Sequence, residues 1–295
     1  MRENKVVYGL IGYGGMGRWH TEILSNVSEA VIGGIYDIKK EKREEAKEKG
    51  FFVYETEEAM LADPDIDVVL IATPNDCHKP IAIRAMHAGK NVISEKPVTL
   101  SSADLLEMEN AAKETGKLLT VHQNRRWDDD FLIIKKLVEE QKLGHVFRIE
   151  SRVHGSRGIP GDWRKEKVHG GGMVLDWGVH LLDQILYMYG DRKIETVYAS
   201  LTNVTNQEVD DGFTAILTFE GGTEVLVEVG TNNYISLPRW YVLGEDGTAV
   251  IRDWQLNGEI IRKTGRTEET VVPVKTAAGL TKTMAPRRED TIVKE

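Results

Sequence analysis

Asp176 and His180 stand four residues apart in the run Gly170-Gly171-Gly172-Met173-Val174-Leu175-Asp176-Trp177-Gly178-Val179-His180. On an α-helix that spacing puts both on one face. The residues that follow, Leu181, Leu182, Ile185 and Leu186, are apolar, so the two polar groups are expected to be partly buried. A neutral imidazole beside a carboxylate is suited to accept a proton near neutral pH, since histidine ordinarily titrates at about 6.5 and its surroundings tune that value. The same pair also reads as a buried Asp–His contact that holds a helix in place. No metal site is expected here, because the spacing is not H-E-x-x-H and no third ligand is evident. The three glycines ahead of the helix let another backbone or a ligand approach closely.

A second source of chemistry is Glu95-Lys96-Pro97, directly after the short strand-like run Asn91–Ser94. Pro97 holds Lys96 to extended conformations. The lysine reads equally as a cation aimed into a crevice or as an ordinary surface residue. Ala72-Thr73-Pro74-Asn75 and His122-Gln123-Asn124-Arg125-Arg126-Trp127 each close a strand-like run in the same way. In open α/β sheets ligands sit beyond the carboxyl ends of strands, and junctions between domains are common ligand sites. A Pro-Asn turn and an Arg-Trp packing joint are the plainer readings of these two stretches.

A third signal is Gly12-Tyr13-Gly14-Gly15-Met16-Gly17. Gly12, Gly14 and Gly17 fit G-x-G-x-x-G, in which the glycines serve a tight turn, a close approach by pyrophosphate, and close helix–strand packing. N–H groups near Gly15 and Met16 would face the phosphates at a helix start. Asp37 ends the next strand-like run, about 20 residues on, where a ribose-binding carboxylate belongs.

These residues imply elements that position them. Val6–Ile11, Ala30–Tyr36, Phe51–Tyr54, Asp67–Thr73, Asn91–Ser94 and Lys117–His122 read as strands, and 39–49, 78–89 and 101–115 as helices between them. Such alternation predicts an α/β domain, a doubly wound Rossmann sheet over 1–123. The pattern then changes. A helix over 128–143 and a strand over 146–153 are followed by a helix over 174–189. Strands without helices come next: 196–204, 213–219, 223–230, 239–243 and 248–252. The turns Glu220-Gly221-Gly222 and Glu245-Asp246-Gly247 suit hairpins. Residues 124–295 are therefore expected to form an α+β domain on a mostly antiparallel open sheet. The alternation Glu224-Val225-Leu226-Val227-Glu228-Val229 is expected to leave an apolar sheet face for a homodimer or homotetramer, with Trp240 and Tyr241 contributing.

Composition narrows the function classes. With 41% hydrophobic and 29% charged residues over 295 positions, the chain has the make-up of a soluble globular protein. A formal charge of −9 argues against nonspecific binding to nucleic acid or anionic lipid. No apolar run is long enough to span a bilayer and no signal-peptide pattern opens the chain, so a cytoplasmic location is expected. The single cysteine, Cys77, forms no internal disulfide and reads as a small filler.

Taken together, the glycine turn, Ala72-Thr73-Pro74-Asn75 with His78, Glu95-Lys96-Pro97, Gln123-Asn124-Arg125-Arg126, Trp163-Arg164 and the Gly171 to His180 run resemble the Gfo/Idh/MocA family of oxidoreductases. The resemblance covers essentially the whole chain. It implies NAD(P) bound by an N-terminal Rossmann domain, an open C-terminal sheet that covers the site and builds oligomers, and oxidation or reduction of hydroxyl carbons in sugars and cyclitols. The family's motif lysine, aspartate and histidine fall on Lys96, Asp176 and His180. Cofactor contacts are expected from Gly12, Tyr13, Gly14, Gly15, Met16, Gly17, Asp37, Thr73, Pro74, Asn75, His78, Glu95, Lys96, Asn124, Trp163 and Arg164. Arg126, Trp127, His154 and Tyr234 are the candidates for contacts to a polyhydroxylated substrate. NAD is expected over NADP because Asp37 would repel a 2′-phosphate. Two other functions fit the resemblance: a glycoside-processing enzyme with recycling, tightly bound NAD, and a non-catalytic sensor. The presence of Lys96, Asp176 and His180 points to an enzyme. Family members usually continue with a helical segment where this sequence stops at Glu295, so a shortened C-terminal domain is expected.

Overall fold

The computed structural model describes residues 4–263 and the backbone of three further strands, Val272–Thr276, Gly279–Thr283 and Ile292–Lys294. The stretch from Met284 to Asp290 lies outside the described residues. The chain divides into two compact units. One is the chain up to Asn124 together with Pro160–Val179; the other is Arg125–Ile159 together with the chain from His180.

The first unit is a five-stranded parallel sheet of β1 (Val6–Ile11), β2 (Ala30–Tyr36), β3 (Val68–Ile71), β4 (Asn91–Ser94) and β5 (Leu119–Val121), in the order β2-β1-β3-β4-β5. Its helices are α1 (Gly15–Leu24), α2 (Lys40–Glu48), α3 (Glu57–Ala62), α4 (His78–His87) and α5 (Ser102–Thr115). Val7, Leu10, Ile11, Val69, Leu70 and Ile71 are all buried, as uninterrupted apolar strands must be when helices cover both faces. The strand order reverses beside β1, which makes the carboxyl ends of β1 and β3 the natural crevice. The run expected as a strand at Phe51–Tyr54 contributes a single parallel bridge, Val53 to Ile35. The chain turns away at once because Thr56 caps α3, its hydroxyl accepting the Ala59 N–H at 3.1 Å. Ser101 caps α5 in the same way, accepting from Asp104 N at 3.1 Å, and Gly116 ends that helix in the left-handed conformation.

The second unit holds α6 (Asp129–Glu139), β6 (Val146–His154), α7 (Val179–Tyr189), β7 (Ile194–Thr202), β8 (Gly212–Phe219), β9 (Thr223–Gly230), β10 (Trp240–Gly244), β11 (Gly247–Ile251) and β12 (Gly258–Lys263). Adding β13 (Val272–Thr276), β14 (Gly279–Thr283) and β15 (Ile292–Lys294), the large sheet runs β15-β12-β11-β10-β6-β9-β8-β7, and β13 with β14 forms a separate hairpin. Neighbours are antiparallel except β6 and β9, which are parallel. Helix α6 stops short of Leu143: the chain takes a positive φ at Gln141 and turns at Gly144.

The expected apolar oligomer face is corrected here. Val225, Val227, Val229 and Trp240 do share one sheet face, but all four are buried within the chain. Phe131 of α6 packs on the Trp240 indole, and Tyr189 of α7 stacks on Phe219. Trp240 is therefore unavailable to a partner. The indole N–H donates to Asp130 Oδ2 at 2.8 Å, and Arg239 Nε lies 3.0 Å from the same oxygen. Arg239 also donates to Ser151 Oγ at 2.8 Å, so one buried cation ties α6, β6 and β10 together. Burial pulls the Arg239 guanidinium down to about 10, against the raising effect of Asp130. Removing one member of such a pair would cost about 3–5 kcal/mol.

Candidate active site

The site is built at the carboxyl edge of the first sheet. After β1, Gly12 takes φ +98°, and a Cβ there would lie 2.4 Å from the Ala72 carbonyl oxygen. Gly17 is buried, and its Cβ would meet the Gly12 carbonyl at 2.1 Å. The turn and the start of α1 are thus pressed together in a way only glycine allows. Gly14 and Gly15 face open space instead. Helix α1 begins without a side-chain cap and without an acid in its first turn. Its first N–H groups are left for an anion, the arrangement a dinucleotide's diphosphate fits. Asp37, at the end of β2, is fixed by two backbone donors: Tyr13 N at 2.7 Å and Lys39 N at 2.8 Å. The Tyr13 side chain lies in the core against Phe51, so only its backbone is available to a ligand.

Beyond β3 and β4, His78 joins two loops. Its Nδ1 lies 2.9 Å from the Pro97 carbonyl and its Nε2 3.0 Å from the Thr73 carbonyl. The ring is fully buried, and burial pushes its pKa down despite the two carbonyls. His78 is therefore a brace between these loops, not a surface that a cofactor touches. Burial also pushes the Cys77 thiol up, as suits a filler. Asn75 is buried and donates from Nδ2 to the Gly170 carbonyl at 2.9 Å. The Lys96-Pro97 bond is cis.

Pro160–Val179 returns to this edge. Two 3-10 turns, Trp163–Lys165 and Lys167–His169, lead into it, and His169 Nδ1 meets Asp76 Oδ1 at 3.0 Å. Val174–Gly178 is then a π turn, not the first turn of an α-helix. A π turn carries more residues than an α turn, so the helix expected over 174–189 opens with a wider winding before it becomes α-helical at Val179. Such bulges frequently mark functional sites.

The π turn brings Asp176 to Lys96. Lys96 Nζ donates to the Asp176 carbonyl at 2.8 Å and to its carboxylate Oδ1 at 3.0 Å. Arg164 Nε lies 3.2 Å from the same Oδ1, with the guanidinium stacked on Trp163 at 4.6 Å. Burial would raise the Asp176 carboxyl, but the Lys96 and Arg164 charges outweigh it and hold the group below its ordinary value. Asp176 is thus a carboxylate that steadies two cations, and it is a poor base at neutral pH. His180 is the second residue of α7 and is buried.

The four substrate candidates lie in the second unit. Arg126 is taken up by Asp183 in a bidentate pair at 2.7 and 2.6 Å and stacks on Tyr187. The His154 ring is buried, accepting Leu237 N at 3.2 Å and lying 3.3 Å from Glu228, so it anchors the loop after β9. Trp127 and Tyr234 are 75% and 82% exposed and remain open to a ligand. Asn124 opens a 3-10 turn through Trp127.

One buried group was not foreseen. His20, Glu95 and His122 converge at the ends of β4 and β5. His20 sits three residues after Gly17, on the buried face of α1 with Gly17 and Thr21. A polar residue on a helix face that should be apolar was the available signal.

Comparison with known proteins agrees with this geometry. The sequence model of an oxidoreductase family with an NAD-binding Rossmann fold matches residues 6–123, and that of the GFO/IDH/MocA C-terminal domain matches residues 131–250. A scyllo-inositol 2-dehydrogenase (NADP(+)) of Bacillus subtilis is 31% identical over 82% of this chain and 67% of its own length. A myo-inositol 2-dehydrogenase of Thermotoga maritima is 30% identical over 72% of this chain and 65% of its own. The crystal structure of an NAD-binding protein from Listeria innocua is 52% identical, with a TM-score of 0.94 over 99% of this chain and 84% of that one. The chain spans about half the length of other curated relatives, such as an Escherichia coli oxidoreductase matched over 53% of its length. No helix among the described residues is long and apolar enough to cross a membrane.

Proposed function

Because the chain belongs to the GFO/IDH/MocA family of oxidoreductases, we propose that it is a dehydrogenase of a sugar or cyclitol, moving hydride between a hydroxyl-bearing carbon and a nicotinamide cofactor. The observation that carries this reading is the Lys96–Asp176–Arg164 group beyond the carboxyl ends of a Rossmann sheet. The uncapped start of α1, the open space at Gly14 and Gly15, and the oriented Asp37 carboxylate fit a dinucleotide. When bound, nicotinamide supplies the hydride acceptor.

The remaining chemistry belongs to the chain. Two of the three Lys96 ammonium protons are committed to Asp176, and the third is left for the substrate oxygen. As the hydroxyl proton departs and hydride leaves the same carbon, that ammonium stabilises the growing negative charge until the carbonyl forms. His180, on which the family's motif histidine falls, takes the proton, since an imidazole ordinarily titrates near neutrality. Asp176 keeps Lys96 charged and aimed. The test is a panel of free sugars, cyclitols and glycosides with NAD, read as reduction at the nicotinamide absorbance band. Reduction with at least one polyol is expected; bound cofactor with no reduction across the panel would favour a sensor.

For the cofactor, Asp37 favours NAD, whose ribose hydroxyls it can accept, over NADP, whose 2′-phosphate it would repel. The Bacillus relative is named for NADP(+), and Lys39 and Lys40 follow Asp37 here, so the preference is one of degree. NADH is expected to bind more tightly than NADPH by several-fold, and Asp37→Ser is expected to narrow the gap. Equal dissociation constants in the parent would refute it. Association through the C-terminal sheet is also proposed, with the open polar face in contact in place of the buried apolar one; light scattering decides between monomer and oligomer.

A further inference from the structure

Two imidazoles, one from α1 and one just after β5, meet on one carboxylate oxygen just after β4. His20 Nε2, from α1, lies 2.6 Å from Glu95 Oε1, and His122 Nδ1, after β5, lies 3.0 Å from the same atom. Both rings therefore donate to it, which fixes each tautomer. The other oxygen, Oε2, accepts the Lys96 backbone N–H at 3.2 Å. The backbone is held on both sides as well: Glu95 N donates to Ile71 O at 3.0 Å and His122 N to Ser94 O at 2.8 Å. Trp19 packs beside both imidazoles, at 5.1 and 5.6 Å between centroids, and His20 and Glu95 are nearly sealed from water. Burial pushes the Glu95 carboxyl up, but the hydrogen bonds from His122 and His20 outweigh it and bring it to about 2.

Two histidines and a glutamate also suggest a metal, but the spacing speaks against one. Ligand atoms about 2.0–2.1 Å from a tetrahedral zinc stand about 3.3 Å apart. The 2.6 Å contact is that of a strong hydrogen bond to an ionised group.

We propose that His20, Glu95 and His122 form a positioning clamp for Lys96, which holds the lysine in register with helix α1, whose start would carry the cofactor diphosphate. The clamp ties the second turn of α1 to the residue before Lys96, so it links the expected cofactor site to the expected catalytic amine through one carboxylate. It touches neither substrate nor reacting atoms. The proposal rests on the dehydrogenase reading for its kinetic consequence and on geometry alone for its structural one.

The test uses the full chain with paired substitutions. Asn places an amide donor near the imidazole Nδ1 position and Gln near Nε2, whereas Leu fills the volume without a donor. His122→Leu and His20→Leu are expected to lower kcat by about 10–100-fold, with the dissociation constant for NADH within about threefold of the parent. His122→Asn and His20→Gln are expected to recover most of that loss. Circular dichroism and the thermal midpoint establish that each variant is folded. Crystal structures of the Leu variants are expected to show Lys96 Nζ parted from Asp176 Oδ1 beyond 4 Å. If the parent oxidises no polyol, the dehydrogenase reading fails while the crystal structures still decide the clamp. An unchanged Lys96–Asp176 contact overturns it. So do Leu variants with parental turnover, Asn and Gln variants as slow as their Leu counterparts, or a stoichiometric metal in the purified protein.

Discussion

Two sets of charges in this chain are wired in opposite ways. On the open face of the second sheet, β6 and β9 present Arg148, Glu150, Arg152, Glu224 and Glu228. Among the described residues these pair through their side-chain ends: Arg148 with Glu150 and Glu224, and Arg152 with Glu150 and Glu228, with His154 also beside Glu228. At the carboxyl edge of the first sheet, charges are fastened to backbone. Lys96 Nζ reaches the Asp176 carbonyl, Glu95 takes the Lys96 N–H, and Asp37 takes those of Tyr13 and Lys39. A pair of flexible side chains can drift together and keep its energy. A charge fixed to backbone on several elements has one address, which is what chemistry at a defined atom needs.

The sharpest way to test this contrast is to remove the charges that have an address. Lys96→Ala and His180→Ala are each expected to lower turnover by at least ~100-fold with NADH binding little changed. Steady-state rates and NADH fluorescence titration check both. Near-parental rates in both variants would mean the mechanism is misassigned, and a collapse of NADH binding would make these residues structural.

Next in size is the glycine contact under the cofactor site. A methyl at Gly17 would stand 2.1 Å from the Gly12 carbonyl oxygen. Gly17→Ala is expected to open the turn and weaken NADH binding by at least ~10-fold. Unaltered affinity by fluorescence titration would remove the turn from the cofactor site.

The acid limb of stability discriminates more finely. Glu95 titrates at about 2 in the folded chain. An unfolded glutamate titrates at about 4.3. A depressed carboxylate adds stability that is complete above the unfolded value and is lost as pH falls toward the folded one. The window is thus about pH 4.3 down to 2, and the contribution totals about 3 kcal/mol. Urea midpoints for the parent and Glu95→Gln at pH 7 and pH 3 are expected to converge on acidification. A constant gap would show that Glu95 is not the titrating group.

The smallest effect belongs to the open face. Arg148→Ala is expected to cost less than about 1 kcal/mol, and less again in 1 M salt, because partly exposed ion pairs are weak and screened. Calorimetry at two salt concentrations checks it, and a loss of several kcal/mol would mean that this face, too, fixes its charges.

Much of this was legible in the sequence because local rules governed it. Ala30–Tyr36, Asn91–Ser94 and Thr223–Gly230 are strands over the expected residues, since apolar runs and their bounding turns carry that signal by themselves. Spacing alone also predicts the tight packing of Gly17 on Gly12, and it marks Asp37, which accepts from Tyr13 N in that turn. What was hidden depended on partners far away in sequence. The π turn at Val174 has no local mark, and Asp176 is steered by Lys96, 80 residues earlier. His20 looked like one more polar residue on a short helix until Glu95 and His122 were beside it. Trp240 and Val225 do share one apolar face, while Tyr241, expected beside them, lies on the opposite face across from Glu150; periodicity does not say what covers a face, and Phe131 and Tyr189 do so.

The return of Pro160–Val179 to the first unit also sets an order of events during synthesis. Every strand of the parallel sheet has been translated once Asn124 is added, yet Arg164 and Asp176 are still untranslated. At about 5–20 residues per second, the ribosome needs roughly 3–11 s more to reach Val179. Throughout that interval the nascent first unit carries Lys96 without its carboxylate and Asn75 without the Gly170 carbonyl. A fragment ending at Asn124 would be held permanently in that early form, with a dinucleotide turn but an unpaired lysine.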